Sequence, residues 1–364
     1  MKISIARSEL LDALTVVTKG LSSRTTLPIL SGILVSASGD DIVLQSTDLE
    51  ISIKATAKAN VSTEGSVVIP GRLISDIVRS LPEAAITLDG TAKDAMKVTC
   101  GQSSFDIKTL SPDDFPKFPE VLAAESVTIP TETLVALVRQ VSKAVSRDET
   151  RPVLTGVLLV VDDGVIRLVA TDSYRLAIKE MPLENAPAER IEVVVPGRAI
   201  EEITKMATGQ ESVTMGVAEN QVVFEFGTTI YVSRRIEGTY PNYRQLIPKE
   251  VETTVTANRE ELLEAVKRVS LMAQHNAPVR LSITESTLTL SARTQDVGEA
   301  KEDLMVKTEG ADVEIAFNHA FLLDGVSASG DEELRFEATS PLKPGVFRSM
   351  DGSYTYLVMP VRLS

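Results

Sequence analysis

One stretch of this chain is present twice. Residues 10–48 laid over residues 134–172 without a gap are identical at 13 of 39 positions, where unrelated segments share about two or three. The shared residues include Lys19/Lys143, Pro28/Pro152, Leu30/Leu154, Gly32/Gly156, Thr47/Thr171 and Asp48/Asp172. Val68-Ile69-Pro70-Gly71-Arg72 recurs as Val194-Val195-Pro196-Gly197-Arg198, and Phe115-Pro116-Lys117-Phe118 as Tyr240-Pro241-Asn242-Tyr243. A fainter third copy begins at Leu262-Leu263-Glu264-Ala265, which resembles Leu10-Leu11-Asp12-Ala13. A repeat constrains folding because each copy must build the same supersecondary unit. Three copies of one fold fill the 364 residues, with expected domains at 1–120, 121–248 and 249–364.

The expected boundaries are turn-rich but short and apolar. Their aromatic-Pro-x-aromatic pattern is suited to packing one copy on the next. Within each copy, helical spacing alternates with period-two runs. Ser8 is a candidate cap for a helix over 7–21, and Asn258 with Glu261 forms a capping-box variant for a helix over 258–272. Further helices are expected at 71–80, 132–147, 197–208 and 317–326. Runs such as Ile42-Val43-Leu44 and Val165-Ile166-Arg167-Leu168 read as half-buried strands. Short turns join them, Gly39-Asp40-Asp41 and Asp162-Asp163-Gly164, so the sheets are antiparallel. The fold class is α+β, with two helices per copy on antiparallel sheets.

Catalytic patterns are missing from the sequence. It has no glycine-rich phosphate loop and no nucleophile elbow. A single cysteine, Cys100, and two histidines, His275 and His319, exclude a cysteine framework or a histidine-rich zinc site. The matched pair Asp48 and Asp172 reads as a repeated Thr-Asp turn. No cofactor or metal is implied. No run of about 18 apolar residues occurs, so no membrane partner is expected and the expected compartment is the cytoplasm. One enzyme reading stays open, a repeat-built transferase that takes a phosphorylated substrate between two units.

The net charge of −14 argues against nucleic acid if taken as a whole, but charge matters by location. The six expected helices carry twelve basic and ten acidic residues, so a mildly basic helical layer lies on a strongly acidic remainder. Helix dipoles explain part of that separation.

Several segments together resemble the bacterial DNA polymerase III β subunit, the sliding-clamp family. They are Thr26-Leu27-Pro28-Ile29-Leu30, Thr47-Asp48-Leu49-Glu50, Ala170-Thr171-Asp172-Ser173-Tyr174-Arg175-Leu176-Ala177, Tyr240-Pro241-Asn242-Tyr243-Arg244 and Val358-Met359-Pro360-Val361-Arg362-Leu363. The resemblance covers the whole chain. It departs from the best-studied members at Ser173-Tyr174, where they read Gly-His, at the neutral residue Gln245, and at Ser364 beyond the usual terminal leucine.

The resemblance implies a processivity factor and not an enzyme. A head-to-tail homodimer would close a ring around duplex DNA, bind it without regard to sequence and slide. Arg24, Arg72, Arg79, Arg139, Arg147, Arg151, Arg198, Lys205, Lys267 and Arg268 would face the DNA. Phe105 and Ile107 would meet Leu271 and Met272 across the dimer interface. One peptide pocket per subunit would join Leu154, Leu176, Pro241, Leu246, Val358, Met359 and Val361, with Thr171, Ser173, Tyr174, Arg175, Gln245, Pro360 and Arg362 at its rim. The replicative polymerase α subunit, other polymerases and repair proteins would dock there through short linear motifs. An ATP-driven clamp loader would open the ring, and replication would bring this cytoplasmic protein to the nucleoid.

Overall fold

The computed structural model describes residues 1–22, 27–273, 277–295 and 297–362. Six α-helices occur among them: α1 (Arg7–Val17), α2 (Gly71–Ser80), α3 (Thr131–Val141), α4 (Gly197–Met206), α5 (Arg259–Ser270) and α6 (His319–Ala328). Asn258 caps α5 as its sequence suggests, its Oδ1 accepting from the Glu260 and Glu261 amides at 3.0 Å each. Asn318 caps α6 in the same way. Ser8 does not cap α1. The N-cap is Ala6, without a side-chain bond, and the Ser8 amide donates to Glu83 Oε1 at 3.2 Å. A distant carboxylate thus satisfies an amide that a local cap would otherwise serve. The first helix is also shorter than expected, tightening into a 3-10 turn over Thr18–Gly20.

The chain forms two compact units, Met1–Thr131 with Glu202–Arg235, and Glu132–Glu201 with Ile236–Ser364. The middle repeat is therefore divided between them. In the first unit a five-stranded sheet runs in the order Asn60–Thr63, Lys2–Ala6, Ala85–Asp89, Ala95–Cys100, Ser103–Lys108. An eight-stranded sheet there runs Glu125–Pro130, Ser212–Val217, Gln221–Phe226, Thr229–Arg234, Ile51–Lys58, Asp41–Thr47, Gly32–Ser38, Gly65–Pro70. In the second unit a nine-stranded sheet runs Ile191–Pro196, Gly156–Asp162, Val165–Thr171, Arg175–Pro182, Tyr354–Val358, Gly345–Ser349, Glu333–Ala338, Thr253–Asn258, Lys307–Gly310. Its four-stranded companion runs Gly298–Met305, Thr287–Thr294, Val279–Thr284, Val313–Phe317. Described pairings between these strands are antiparallel, as the short turns require.

Both large sheets contain a seam between repeats. Ile51–Lys58 of the first copy pairs with Thr229–Arg234 of the second, with Ile51 opposite Ser233. Arg175–Pro182 of the second copy pairs with Tyr354–Val358 of the third, with Arg175 opposite Val358. Ile51 and Arg175 are equivalent in the repeat, so the same ladder is built twice. Tyr240 and Tyr243 cover the second seam's sheet, sharing a buried cluster with Leu158, Leu176, Val346 and Leu357. This is the packing role that the aromatic-Pro-x-aromatic pattern suggests.

Repeated glycines have a shared steric cause. A Cβ at Gly32 would come within 2.4 Å of Val68 Cγ1, and one at Gly156 within 2.5 Å of Val194 Cγ1. The Thr-Asp turns also match. Asp48 Oδ1 accepts from the amides of Glu50 and Ile51, and Asp172 Oδ1 from those of Tyr174 and Arg175. Each turn holds a non-glycine residue in the left-handed region, Leu49 and Ser173, both at φ 78°.

Candidate functional site

The second seam ends at a surface built from four chain segments of one unit. Arg175 opens one strand and Val358 closes its partner. Beyond Val358 the chain leaves the ladder but stays attached. The Met359 amide donates to the Tyr174 carbonyl at 2.8 Å, and the Val361 amide to the Ala316 carbonyl at 2.7 Å. Leu154, Thr171, Leu176 and Val358 are buried, and Pro360 is half-buried. Tyr174, Leu246, Met359 and Val361 stay exposed, with Tyr174 at 62%. Pro241, Gln245 and Arg362 are exposed as well. Apolar side chains held open to water beside a buried floor form a surface suited to a short apolar segment.

Three residues missed in the sequence complete the rim. Phe321 on α6 stacks with Tyr174, ring centroids 6.5 Å apart, and lies 4.4 Å from the Arg175 guanidinium carbon. Arg175 donates to Asp172 at 3.0 Å and to Asp324 at 2.5 Å, and to the Tyr356 hydroxyl at 3.4 Å. Burial works against its charge, but Tyr356, Asp324 and Asp172 outweigh that and raise its pKa. Arg175 is therefore a fixed cation under the aromatic pair. The Asn318 cap sets the phase of α6 and so places Phe321 and Asp324. That signal is readable in sequence, but their distance of about 150 residues from Arg175 hides the contact.

The first seam shares this backbone but not this chemistry. There the Arg234 amide donates to the Glu50 carbonyl at 3.1 Å, the counterpart of the Met359–Tyr174 bond. Glu50 stands where Tyr174 does, Ile51 for Arg175 and Arg234 for Met359. Two charged residues replace an aromatic and a methionine, so the exposed Tyr174–Met359 pair has no counterpart at the first seam.

Of the DNA-facing candidates, Arg24 lies outside the described residues. The other nine are exposed. Arg72, Arg139, Arg147 and Arg198 have no ion-pair partner among the described residues. Arg79 pairs with Asp76, Lys205 with Glu202, Lys267 with Glu264 and Arg268 with Glu302. Arg151 pairs with Asp148 and donates to Ser173 Oγ, which puts it beside the seam just described.

Among the interface candidates, Leu271 is 69% exposed while Ile107 is already buried in its own unit. Phe105 and Met272 are half-buried. Met272 Sδ approaches to 3.9 Å of where a Cβ on Gly298 would sit. Met272 thus lies against the start of the Gly298–Met305 edge strand. Phe105 and Ile107 lie on the Ser103–Lys108 edge strand. No group of three or more potential metal ligands is assembled among the described residues, and no described helix is long and apolar enough to cross a membrane.

Residues 1–119, 128–242 and 244–362 match the N-terminal, central and C-terminal domains of the DNA polymerase III beta subunit. The chain belongs to that family. A beta sliding clamp of Staphylococcus epidermidis is 34% identical, over all of this chain and 99% of its relative. One from Staphylococcus aureus is 33% identical over the same shares. The solved DNA polymerase sliding clamp of Bacillus subtilis superposes with a TM-score of 0.96 at 31% identity, covering all of both chains. A Pseudomonas aeruginosa sliding clamp solved with griselimycin bound gives 0.95 at 29%, again over both whole chains. As a DNA polymerase III beta subunit, the chain is a non-catalytic accessory of a polymerase and a processivity factor. The transferase reading finds no support.

Proposed function

We propose that two copies of this chain close head to tail into a ring that encircles duplex DNA. The ring slides without reading sequence and tethers partners through the surface at the second seam. Three domains, 1–120, 121–248 and 249–364, would each contribute one third of a subunit. The observation that carries this reading is the repeated seam. Its two halves recur a third time as separate edges, Ser103–Lys108 and Gly298–Met305, each at the end of its own sheet. A heterologous contact that joins such edges closes a ring if the rotation per unit permits, and it covers edges that would otherwise invite aggregation.

Carrying the internal register across the repeat sets Ile107 opposite Gly298, Phe105 opposite Ala300 and Ser104 opposite Lys301. That register brings Phe105 and Ile107 toward Leu271 and Met272. On the outer face it sets Asp106 directly opposite Glu299, two like charges, with Lys301 diagonal to Asp106 and Lys108 diagonal to Glu299 to offset them.

The unpaired cations Arg72, Arg139, Arg147 and Arg198 support a lining that meets phosphates by charge alone. The second-seam surface supports docking of short motifs from the replicative polymerase α subunit and from other polymerases and repair proteins. A closed ring cannot thread onto a circle, so an ATP-driven loader belongs to the reading, as does residence on the nucleoid within the cytoplasm. The test is topological. A nicked circle should retain the loaded protein through a high-salt wash, and linearising the circle should release it; equal retention on both forms would sink the proposal.

A further inference from the structure

Ser173 occupies a backbone conformation that glycine would adopt at less cost, φ 78°. Its side chain is not idle there. Ser173 Oγ accepts a 2.7 Å hydrogen bond from Arg151 Nη1. Arg151 Nε donates to Asp148 Oδ2 at 3.0 Å, while Asp148 Oδ1 accepts from the Thr150 amide and hydroxyl. The guanidinium is thus held from two directions and still has free donors, because it carries five N–H groups in one plane. Its side chain remains 43% exposed.

In the first repeat the equivalents of Arg151 and Ser173 are Leu27 and Leu49, 50% and 51% exposed. Leu49 has the same φ of 78°. The backbone is common to both copies, and the two positions differ together: two leucines in one copy, an arginine and its acceptor in the other.

We propose that Ser173 is a positioning residue of the peptide pocket, its hydroxyl fixing the Arg151 guanidinium at the rim so that the free Nη2 reads a carboxylate on the docked segment. This rests on the pocket reading above. Nε and Nη1 lie on different edges of the guanidinium, so the nitrogen left for a carboxylate is Nη2, held in a fixed direction that lysine's rotating ammonium cannot match. The preferred partner is a short segment that carries an acidic residue beside its large apolar side chains.

The test uses two fluorescein-labelled synthetic peptides with the same leucine and phenylalanine anchors, one carrying Asp and the other Asn at a single position scanned along the peptide. The full-length protein should bind the Asp form about 5- to 10-fold more tightly at the best position. Ser173→Ala keeps the Cβ and Ser173→Gly removes it; both should reduce that ratio to about 2. Arg151→Gln should abolish the ratio. An unchanged ratio in both Ser173 variants would overturn the role of the hydroxyl. So would an Arg151→Gln variant whose only effect is a shallower salt dependence of DNA binding. Failure of both peptides to bind at about 1 mM would remove the pocket reading, and this one with it. Binding without discrimination removes this one alone.

Discussion

The amide of Met359 and the carbonyl of Tyr174 are joined at 2.8 Å, and this bond marks where the second seam stops being a sheet and the proposed docking surface begins. On one side lies a regular antiparallel ladder. On the other, Met359–Arg362 runs outward, held again at Val361 by the Ala316 carbonyl. Deleting Met359–Ser364 should remove the exposed methionine and valine and both anchoring bonds without disturbing the buried floor. Apolar-peptide affinity should fall by at least about tenfold. The melting temperature should shift by only a few degrees, at roughly 1 kcal/mol or less. Titration of a labelled peptide alongside calorimetry checks both.

Arg175 is the structural pin beneath that surface. Replacing it with alanine leaves Asp172 and Asp324 without their shared partner and removes the cation over Phe321. Loss of one member of a largely buried ion-pair network costs about 2–4 kcal/mol. Arg175→Ala should therefore show a clearly lower urea midpoint, and Asp324→Asn a smaller loss, since Asp172 remains. Equal midpoints for wild type and Arg175→Ala would contradict this account.

Disulfide trapping reads the register at the proposed dimer seam. Ser104→Cys with Lys301→Cys should give a covalently closed dimer under mild oxidation, because directly opposite residues in an antiparallel pair have Cα atoms about 4.5–5.5 Å apart. Ser104→Cys with Glu299→Cys, displaced by two residues on the same face, should crosslink much less. The native Cys100 is buried and should not interfere. A non-reducing gel decides, and crosslinking by the displaced pair alone would shift the register.

Cations that already have acidic partners should matter less to DNA than those that do not. Arg198→Ala and Arg147→Ala should each lower the salt slope of DNA binding by about one. Lys205→Ala, which leaves Glu202 paired with Lys19 alone, should change it less. The measurement is affinity for a plain duplex over a range of salt, and equal slopes for all three variants would refute the distinction.

Acid should loosen the hairpin that carries the last strand. Asp351 is held down to a pKa of about 2 by the Ser349 hydroxyl first, then by the Ser353 amide and hydroxyl. A carboxyl depressed in the folded state contributes stability above its unfolded pKa and loses it as pH falls through the folded value. The contribution should be full above pH ~4 and gone below pH ~2. Asp351→Asn should flatten the stability profile in that window and leave its slope near neutrality unchanged.

Most of the architecture was legible because the repeat carries it. Asp48 and Asp172 and the Tyr240/Tyr243 pattern do in the structure what the sequence suggested, and Gly32 and Gly156 share one steric cause. Local rules failed where a distant residue took over, as when Glu83 serves the Ser8 amide. The contacts of Arg175 with Phe321 and Asp324 were hidden for the same reason: no local period links positions that only the seam brings together. Arg151 illustrates a further limit. Its charge suggested DNA, but only coordinates reveal that Asp148 and Ser173 hold it beside the second seam.

Two edge pairings connect strands of one polypeptide, and the proposed ring adds an equivalent third between two molecules. Each strand of the first two meets its partner at the effective concentration set by the intervening chain, of millimolar order for short flexible tethers. The edges at Ser103–Lys108 and Gly298–Met305 have no such advantage and must find a second molecule at whatever concentration the cell supplies. Dilution therefore acts on that junction and leaves the other two alone. In the proposed ring, a falling subunit concentration would be felt first as opening, long before any domain lost its fold.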